Sequence, residues 1–156
     1  IEEAIKGGTT VVQIREKTAE TLDFYNLALK VKDITTKYNV PLIINDRVDV
    51  ALAIDADGVH VGQSDMPCDV TRKLVGSNKI VGVSAATIDE AKKAEKDGAD
   101  YIGTGAVFPT STKDDAPKIT KKELKEVTGS VIQAAVLMMQ GDVDKAMNDF
   151  NAKKQG

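Results

Sequence analysis

Five short apolar runs in this chain each end in residues that could handle an anion or a metal ion. Val11–Arg15 carries Gln13 and Arg15 at its end, with Lys17 just beyond. Leu42–Ile44 runs into Asn45-Asp46, and Gly58–Val61 into Gly62-Gln63-Ser64-Asp65. Ile80–Val83 stops at Ser84, and Tyr101–Thr104 leads through Gly105 to Phe108-Pro109-Thr110-Ser111-Thr112-Lys113. In a parallel β/α protein the C-terminal strand ends share one rim, and that rim carries the site. Two carboxylates, several cations and a hydroxyl-rich loop gathered there suit a metal-assisted site for a phosphorylated small molecule.

Each candidate has a plainer reading beside the chemical one. Asp46 and Asp65 could share one Mg²⁺, which prefers oxygen ligands and completes its shell with waters and substrate phosphates. Both also precede short helices, where a carboxylate can serve as a cap. Period-two alternation sets Gln13, Arg15 and Lys17 on one side of their strand, opposite Ile14 and Glu16. An inward Arg15 needs an anionic partner, either a ligand or Asp46 itself. Thr110, Ser111, Thr112 and Lys113 offer hydroxyls, backbone N–H groups and an ammonium to a phosphate; without a glycine-rich pattern they are, taken alone, a polar loop. His60, the single histidine, lies inside its strand and is read as structural, hydrogen-bonded across the fold. Cys68 is read as a bystander, and Asp49, Asp55 and Asp57 as surface or turn residues.

The elements that must position these groups alternate at a spacing of roughly 20–25 residues, which argues for βα units and a parallel sheet. Residues 1–6 read as a helix closed by Gly7-Gly8, followed by a strand over 10–15. A helix over 21–38 presents Leu22, Tyr25, Leu27, Ala28, Leu29 and Val31 as its apolar face and stops at Asn39. Strand 41–45, a short helix 48–54, strand 58–61, a helix near 69–75 opened by Pro67, and strand 79–84 follow. Thr87 with Glu90 forms a capping box for a helix over 88–97, ended by Gly98. Strand 101–105 and a long functional loop over 106–118 precede a second capping box, Thr120 with Glu123. Beyond Val127 the pattern breaks: a strand-to-helix run over 131–139 and a last helix capped by Asp142, with Val143, Ala146, Met147 and Phe150 on one face, are expected.

The composition is that of a globular domain: 156 residues, 42% hydrophobic and 29% charged. A net charge of −3 and 4% aromatics give no basic field and no stacking surface for nucleic acid. No apolar run approaches the ~18–20 residues of a membrane span. The opening IEEAIKGG is not a signal peptide, and one cysteine builds no disulfide framework. A cytoplasmic setting is the default, with room for a homo-oligomer.

Taken together, the segments 12–17 (VQIREK), 44–47 (INDR), 57–65 (DGVHVGQSD), 82–85 (GVSA) and 101–113 (YIGTGAVFPTSTK) resemble the thiamine-phosphate synthase family in order and spacing across residues 1–127. The resemblance implies a TIM (β/α)₈ barrel. It also implies a transferase that joins a pyrimidine methyl pyrophosphate to a thiazole phosphate, giving thiamine phosphate and pyrophosphate. Gln13 would hold the pyrimidine. Arg15, Lys17, Asn45, Ser84 and Lys113 would bind the pyrophosphate-bearing substrate, with Arg15, Ser84 and Lys113 counted as catalytic. Asp46 and Asp65 would hold Mg²⁺, and Thr110, Ser111 and Thr112 would receive the thiazole phosphate.

The chain departs from that family at two places. A closed barrel needs about 200 residues. Here the first strand and a late βα region with a glycine-rich phosphate turn are missing. The expectation is one TIM-barrel-type domain over 1–156, truncated at its N-terminus and with a gap near 127–131. Two rivals remain: a thiazole tautomerase-like relative on the same fold, and an inactive fragment or non-catalytic phosphate-binding protein.

Overall fold

The computed structural model describes residues 1–105, and they form an α/β fold on a parallel sheet. The chain divides into two units, Ile1–Ala85 with Lys92–Gly103, and Ala86–Ala91 with Thr104–Gly156. Of the second unit, residues 86–91, 104 and 105 are described. The elements are α1 (Glu2–Lys6), β1 (Val12–Ile14), α2 (Thr21–Lys37), β2 (Leu42–Asn45) and α3 (Val48–Ala53). They continue with β3 (Gly58–Val61), α4 (Cys68–Val75), β4 (Ile80–Ser84), α5 (Ile88–Lys96) and β5 (Tyr101–Gly103). The alternation read from the sequence holds, with strand and helix ends shifted by no more than two residues.

The strands pair in chain order, β1-β2-β3-β4-β5, all parallel. Such a sheet, joined by crossovers of one hand, keeps its helices on one side. The core follows from that. Leu42, Ile44, Val59, Val61, Val81 and Val83 of the strands bury against Phe24, Ala28 and Val31 of α2 and Val48, Val50 and Ala51 of α3. Alternate strand residues point to the other face, where polar side chains gather.

The phase of α2 differs from the sequence expectation. Phe24, Ala28, Val31 and Thr35 are its buried residues, whereas Leu22 is 68% exposed and Leu27 45% exposed. Spacings of four, three and four residues trace one helical stripe, and Leu22 and Leu27 fall off it.

Four helix-to-strand junctions share one construction. A residue with positive φ stands at Gly8 (106°), Asn39 (54°), Asp55 (52°) and Gly98 (93°). The next N–H then reaches back to a helix carbonyl: Thr9 to Ala4, Val40 to Thr35, Ala56 to Ala51 and Ala99 to Ala94. These left-handed endings satisfy orphan carbonyls and aim the chain into the next strand. Two aspartates extend the device. Asp57 Oδ2 accepts from the Leu42 N–H (2.9 Å) and from Lys32 (2.8 Å), and Asp100 Oδ2 accepts from the Val81 N–H (2.7 Å) and from Arg72 (2.6 Å). Asp57 is thus a strand anchor, a more specific role than a turn residue.

The helix α4 ends differently, and Arg72 compensates. Its guanidinium donates to Gly98 O from both Nε (3.0 Å) and Nη2 (2.9 Å), and to Gly76 O (2.8 Å) and Lys79 O (2.6 Å) besides Asp100. The expected Thr87–Glu90 capping box is present: the Glu90 N–H donates to Thr87 Oγ1 and the Thr87 N–H to Glu90 Oε2, both at 3.2 Å. Cys68 is buried, with Sγ directed at the Ala94 and Asp97 carbonyls, and burial pushes its thiol pKa up. That suits an inert cysteine.

The loop over 106–118 lies outside the described residues. So do the Thr120–Glu123 capping box, the break near 127–131, the run over 131–139 and the last helix through Phe150.

Candidate active site

Strand register builds the polar face in rows. Asn45 pairs with His60, His60 with Gly82, and Gly82 with Tyr101. One row thus crosses four strands with a gap at its third position. Tyr101 uses that gap: a Cβ on Gly82 would sit 2.1 Å from the phenol Cζ. The ring lies across β4, and the Tyr101 hydroxyl stands 2.9 Å from His60 Nδ1. His60 Nε2 stands 2.9 Å from Ser84 Oγ, one row nearer the rim. Asn45 and His60 are buried, each at 7% exposure. The Gly82→Ala variant is therefore expected to push Tyr101 off His60 and to lose about 1–3 kcal/mol by overpacking. Urea denaturation checks this; a variant as stable as the parent would exclude the stacked row.

The rim itself is set by tight turns. Asp46 follows β2 with φ +66°, a left-handed conformation that aspartate tolerates better than most residues. It is held there by its own N–H donating to His60 O (2.8 Å) and by the Arg47 N–H donating to Asn45 O (2.8 Å). Backbone strain of this kind tends to collect at functional sites. After β3, the Gly62 N–H donates to Asp65 Oδ2 at 2.7 Å and fixes that carboxylate over the turn. Gln63 reaches β4, its amide donating to Ser84 O at 2.6 Å.

These turns bring the two carboxyl groups together. Asp65 lies close enough to act on the Asp46 carboxyl. Burial holds the Asp46 carboxyl above the usual carboxylate range, and Asp65 adds to the rise through its hydrogen bond and charge. Lys17 and, more weakly, Arg15 pull the other way. Lys17 Nζ lies 4.0 Å from Asp46 Oδ2. Two acidic groups forced together, flanked by cations, form a site that gains from binding a further positive charge. Among the described residues no group of three or more His, Cys, Asp or Glu side chains is arranged to hold a metal ion. A cation here would have two protein carboxylates and would take its remaining ligands from water or substrate.

The structure decides between several of the readings made from sequence. The capping role for Asp46 and Asp65 fails: α3 is preceded by Arg47 and α4 by Pro67, and neither start has a side-chain cap bond. Gln13, Arg15 and Lys17 are exposed while Val12, Ile14 and Glu16 are half-buried, so the alternation holds through residue 17. Arg47 turns away from the rim and grips Asp49 with Nε (2.9 Å) and Nη2 (2.6 Å), as expected if Asp49 has no part in the site. His60 is structural in its contacts, as expected, and its partners include the rim residue Ser84 as well as Tyr101. Thr110, Ser111, Thr112 and Lys113 lie outside the described residues. Tyr101, Gly82 and Gln63 were not singled out from sequence; the signal for the first two was a glycine alternating with valines one strand before a tyrosine.

The Thiamine monophosphate synthase family model matches residues 1–148. A thiamine-phosphate synthase of Methanobrevibacter smithii is 72% identical over 131 residues, covering 84% of this chain and 63% of the relative. One of Alkaliphilus oremlandii is 65% identical over 127 residues, covering 81% and 61%. One of Clostridium botulinum is 56% identical over 151 residues, covering 97% and 70%. The chain therefore spans between about three fifths and seven tenths of these relatives' lengths. Among solved structures, a thiamine phosphate pyrophosphorylase from Pyrococcus furiosus superposes with a TM-score of 0.73 at 43% identity, covering 83% of this chain and 61% of that one.

Proposed function

Since the chain belongs to the thiamine monophosphate synthase family, we propose that its rim condenses an aminopyrimidine methyl pyrophosphate with a thiazole phosphate, releasing pyrophosphate and forming thiamine phosphate. The observation that carries this reading is the Asp46–Asp65 contact flanked by Lys17, with Ser84 held on the same rim by His60 and Gln63. A diphosphate is the ligand such a mixed-charge rim suits. Its oxygens can meet Lys17, Arg15 and Ser84, while a cation between diphosphate and carboxylates offsets the crowding of like charges.

That cation is Mg²⁺ in this reading. The donor chemistry fits: two hard oxygen ligands, with the remaining positions left for water and phosphate oxygens. Bound there by Asp46 and Asp65, Mg²⁺ would supply charge neutralisation of the departing pyrophosphate. The residues of the chain do the rest. Gln13 and Asn45 orient the aminopyrimidine, which stabilises positive charge on its CH₂ as the C–O bond breaks. Arg15, Lys17, Ser84 and Lys113 bind the pyrophosphate and hold its growing negative charge. Thr110, Ser111 and Thr112 seat the thiazole phosphate so that the ring nitrogen captures the carbon. No protein nucleophile is required; orientation and fixed charge carry the rate.

The chain-order parallel sheet with one helix-covered face supports a barrel winding. The reading therefore includes a TIM (β/α)₈ barrel of which this chain holds part, a single domain, with small phosphorylated substrates as ligands. Work in the cytoplasm belongs to the same proposal. No helix among the described residues is long and apolar enough to cross a membrane.

Pyrophosphate release from the purified chain tests the proposal, with both substrates supplied and Mg²⁺ present or withheld. Release that needs Mg²⁺ and the thiazole phosphate is expected. Turnover indifferent to Mg²⁺ and without pyrophosphate would point to tautomerase-like chemistry, and a folded chain with no turnover to a binding protein.

A further inference from the structure

We propose that Gln63 is a positioning residue: its side-chain amide carries the β3–β4 ladder past the end of β3 and so holds the Asp65 turn in place for a cation. The cation rests on the reading of the rim given above; the tie itself stands on backbone geometry.

β3 ends at Val61, opposite Val83, with His60 opposite Gly82. In a parallel pair, a residue whose N–H and C=O face the neighbouring strand donates to the residue before its partner and accepts from the residue after it. Ile80, opposite Gly58, opens the ladder in this way, its N–H donating to Asp57 O at 2.9 Å. Alternation gives Gly82 and Ser84 the same orientation. The Ser84 carbonyl therefore faces the place that the Gln63 backbone N–H would take if β3 ran on by two residues. The strand stops short, and Gln63 Nε2 donates to Ser84 O at 2.6 Å. A side-chain donor stands where a backbone rung would have been. The acceptor is a carbonyl, so the NH₂ end of the amide and not its oxygen faces Ser84.

This exchange frees the backbone to turn. The Gly62 N–H donates to Asp65 Oδ2 at 2.7 Å, and the Asp65 N–H returns to Gly62 O at 3.3 Å. A Cβ on Gly62 would lie 3.0 Å from Asp65 Oδ2. Glycine is called for by that approach and not by its φ, which is outside the left-handed region. These two bonds close the turn on itself. Among the described residues, the bond from Gln63 is the one that joins it to β4. That strand is a firm anchor, since the Ala85 N–H beyond Ser84 donates to Gly103 O at 2.9 Å on the other side. Asp46 is held to the sheet by its own N–H on His60 O at 2.8 Å. Gln63 does by side chain for Asp65 what the backbone does for Asp46, so a cation shared by the two carboxylates meets a fixed pair.

Gln63→Met keeps the length of the side chain and removes the donor. Two readouts apply, both without substrate. Hydrogen exchange at the Gly62 amide should quicken about tenfold as its turn loosens, with the Val61 amide inside β3 unchanged. Affinity for Mn²⁺, titrated as the metal alone and followed by electron paramagnetic resonance, should fall about tenfold, as when a partner that orients a metal ligand is lost. Ser64→Ala, in the same turn, should match the parent in both; losses equal to those of Gln63→Met would count against a specific tie. Unchanged Gly62 exchange in Gln63→Met would overturn the proposal. So would equal acceleration at Gly62 and Val61, which marks general loosening, or faster Gly62 exchange with the parent's Mn²⁺ affinity. Gln63→Glu sets an acceptor against the Ser84 carbonyl, and parent-like Gly62 protection in that variant would refute the tie independently. Excess Mg²⁺ should restore pyrophosphate release in Gln63→Met; release that stays low at saturating cation would place Gln63 on the substrate and end the positioning role. A parent that binds no Mn²⁺, with Gly62 exchange still faster in Gln63→Met, supports the tie and refutes the reading of the rim as a cation site.

Discussion

An Asp46→Asn chain is expected to release pyrophosphate roughly 10²–10³-fold more slowly than the parent under Mg²⁺, yet to melt at a higher temperature when metal-free. The two effects have one origin. Asp46 is half-buried, beside Asp65, and its carboxyl is held above the ordinary range chiefly by burial and then by its acidic neighbour. A group whose pKa is raised by folding contributes stability that is present below the unfolded value of 3.8 and lost as pH rises through the folded value. At neutral pH the ionised group therefore works against the fold. Asparagine removes the charge, keeps an oxygen for hydrogen bonding and tolerates the left-handed φ of +66°. The gain in melting temperature should shrink as pH is lowered and vanish below about 3.8. Asp65→Ala should lose activity to a similar degree without the gain, because the Gly62 N–H then loses its acceptor. Thermal melts across pH, beside pyrophosphate release, check both halves. Unimpaired release from Asp46→Asn, or a lower melting temperature, would break the link drawn between this aspartate and a bound cation.

Arg72→Met should lower stability by about 2–4 kcal/mol, through lost hydrogen bonds and orphaned carbonyls. One guanidinium joins the end of α4, the residue before β4 and the turn before β5, with contacts to Gly76, Lys79, Gly98 and Asp100. Its side chain is 20% exposed, and methionine removes the donor from the part-buried Gly98 and Lys79 carbonyls as well as from Gly76. A melting temperature lower by roughly 5–15 °C corresponds to that loss in a domain of this size. Lysine should restore little, since a single ammonium cannot reproduce a planar fork that serves several acceptors. Urea denaturation of the parent and both variants decides the matter; a full rescue by lysine would reduce Arg72 to a generic cation beside Asp100.

The parts of this molecule legible in its sequence were those fixed by local rules. The alternation of apolar runs with helical stripes located the described elements to within a few residues. Thr87 and Glu90 announced their capping box because both partners lie within one turn. Asp46 and Asp65 were placed on one rim because parallel strands send their C-terminal ends the same way. Register was not legible. Alternation tells which face Tyr101 occupies, but not that it stands beside Gly82 and within reach of His60; that depends on how far each strand slides along the next. Arg72 was missed for a similar reason: its acceptors belong to junctions that are neighbours only in space. The phase of α2 was misread because Leu22 and Leu27 are apolar without being on the stripe that Phe24, Ala28, Val31 and Thr35 define.

The chain-order sheet has a consequence for how the molecule comes into being. Among the described residues each strand pairs only with strands next to it in the sequence, so each of these pairings closes a short loop. A ribosome delivering these residues in order can have β1 through β4 paired before β5 emerges. Asp46 and Asp65, in the turns after β2 and β3, can meet early in that order. The hydroxyl of Tyr101 arrives with the last of these strands. Until then His60 lacks its Tyr101 neighbour, so the turns that carry Asp46 and Asp65 can form before the His60–Tyr101 contact does.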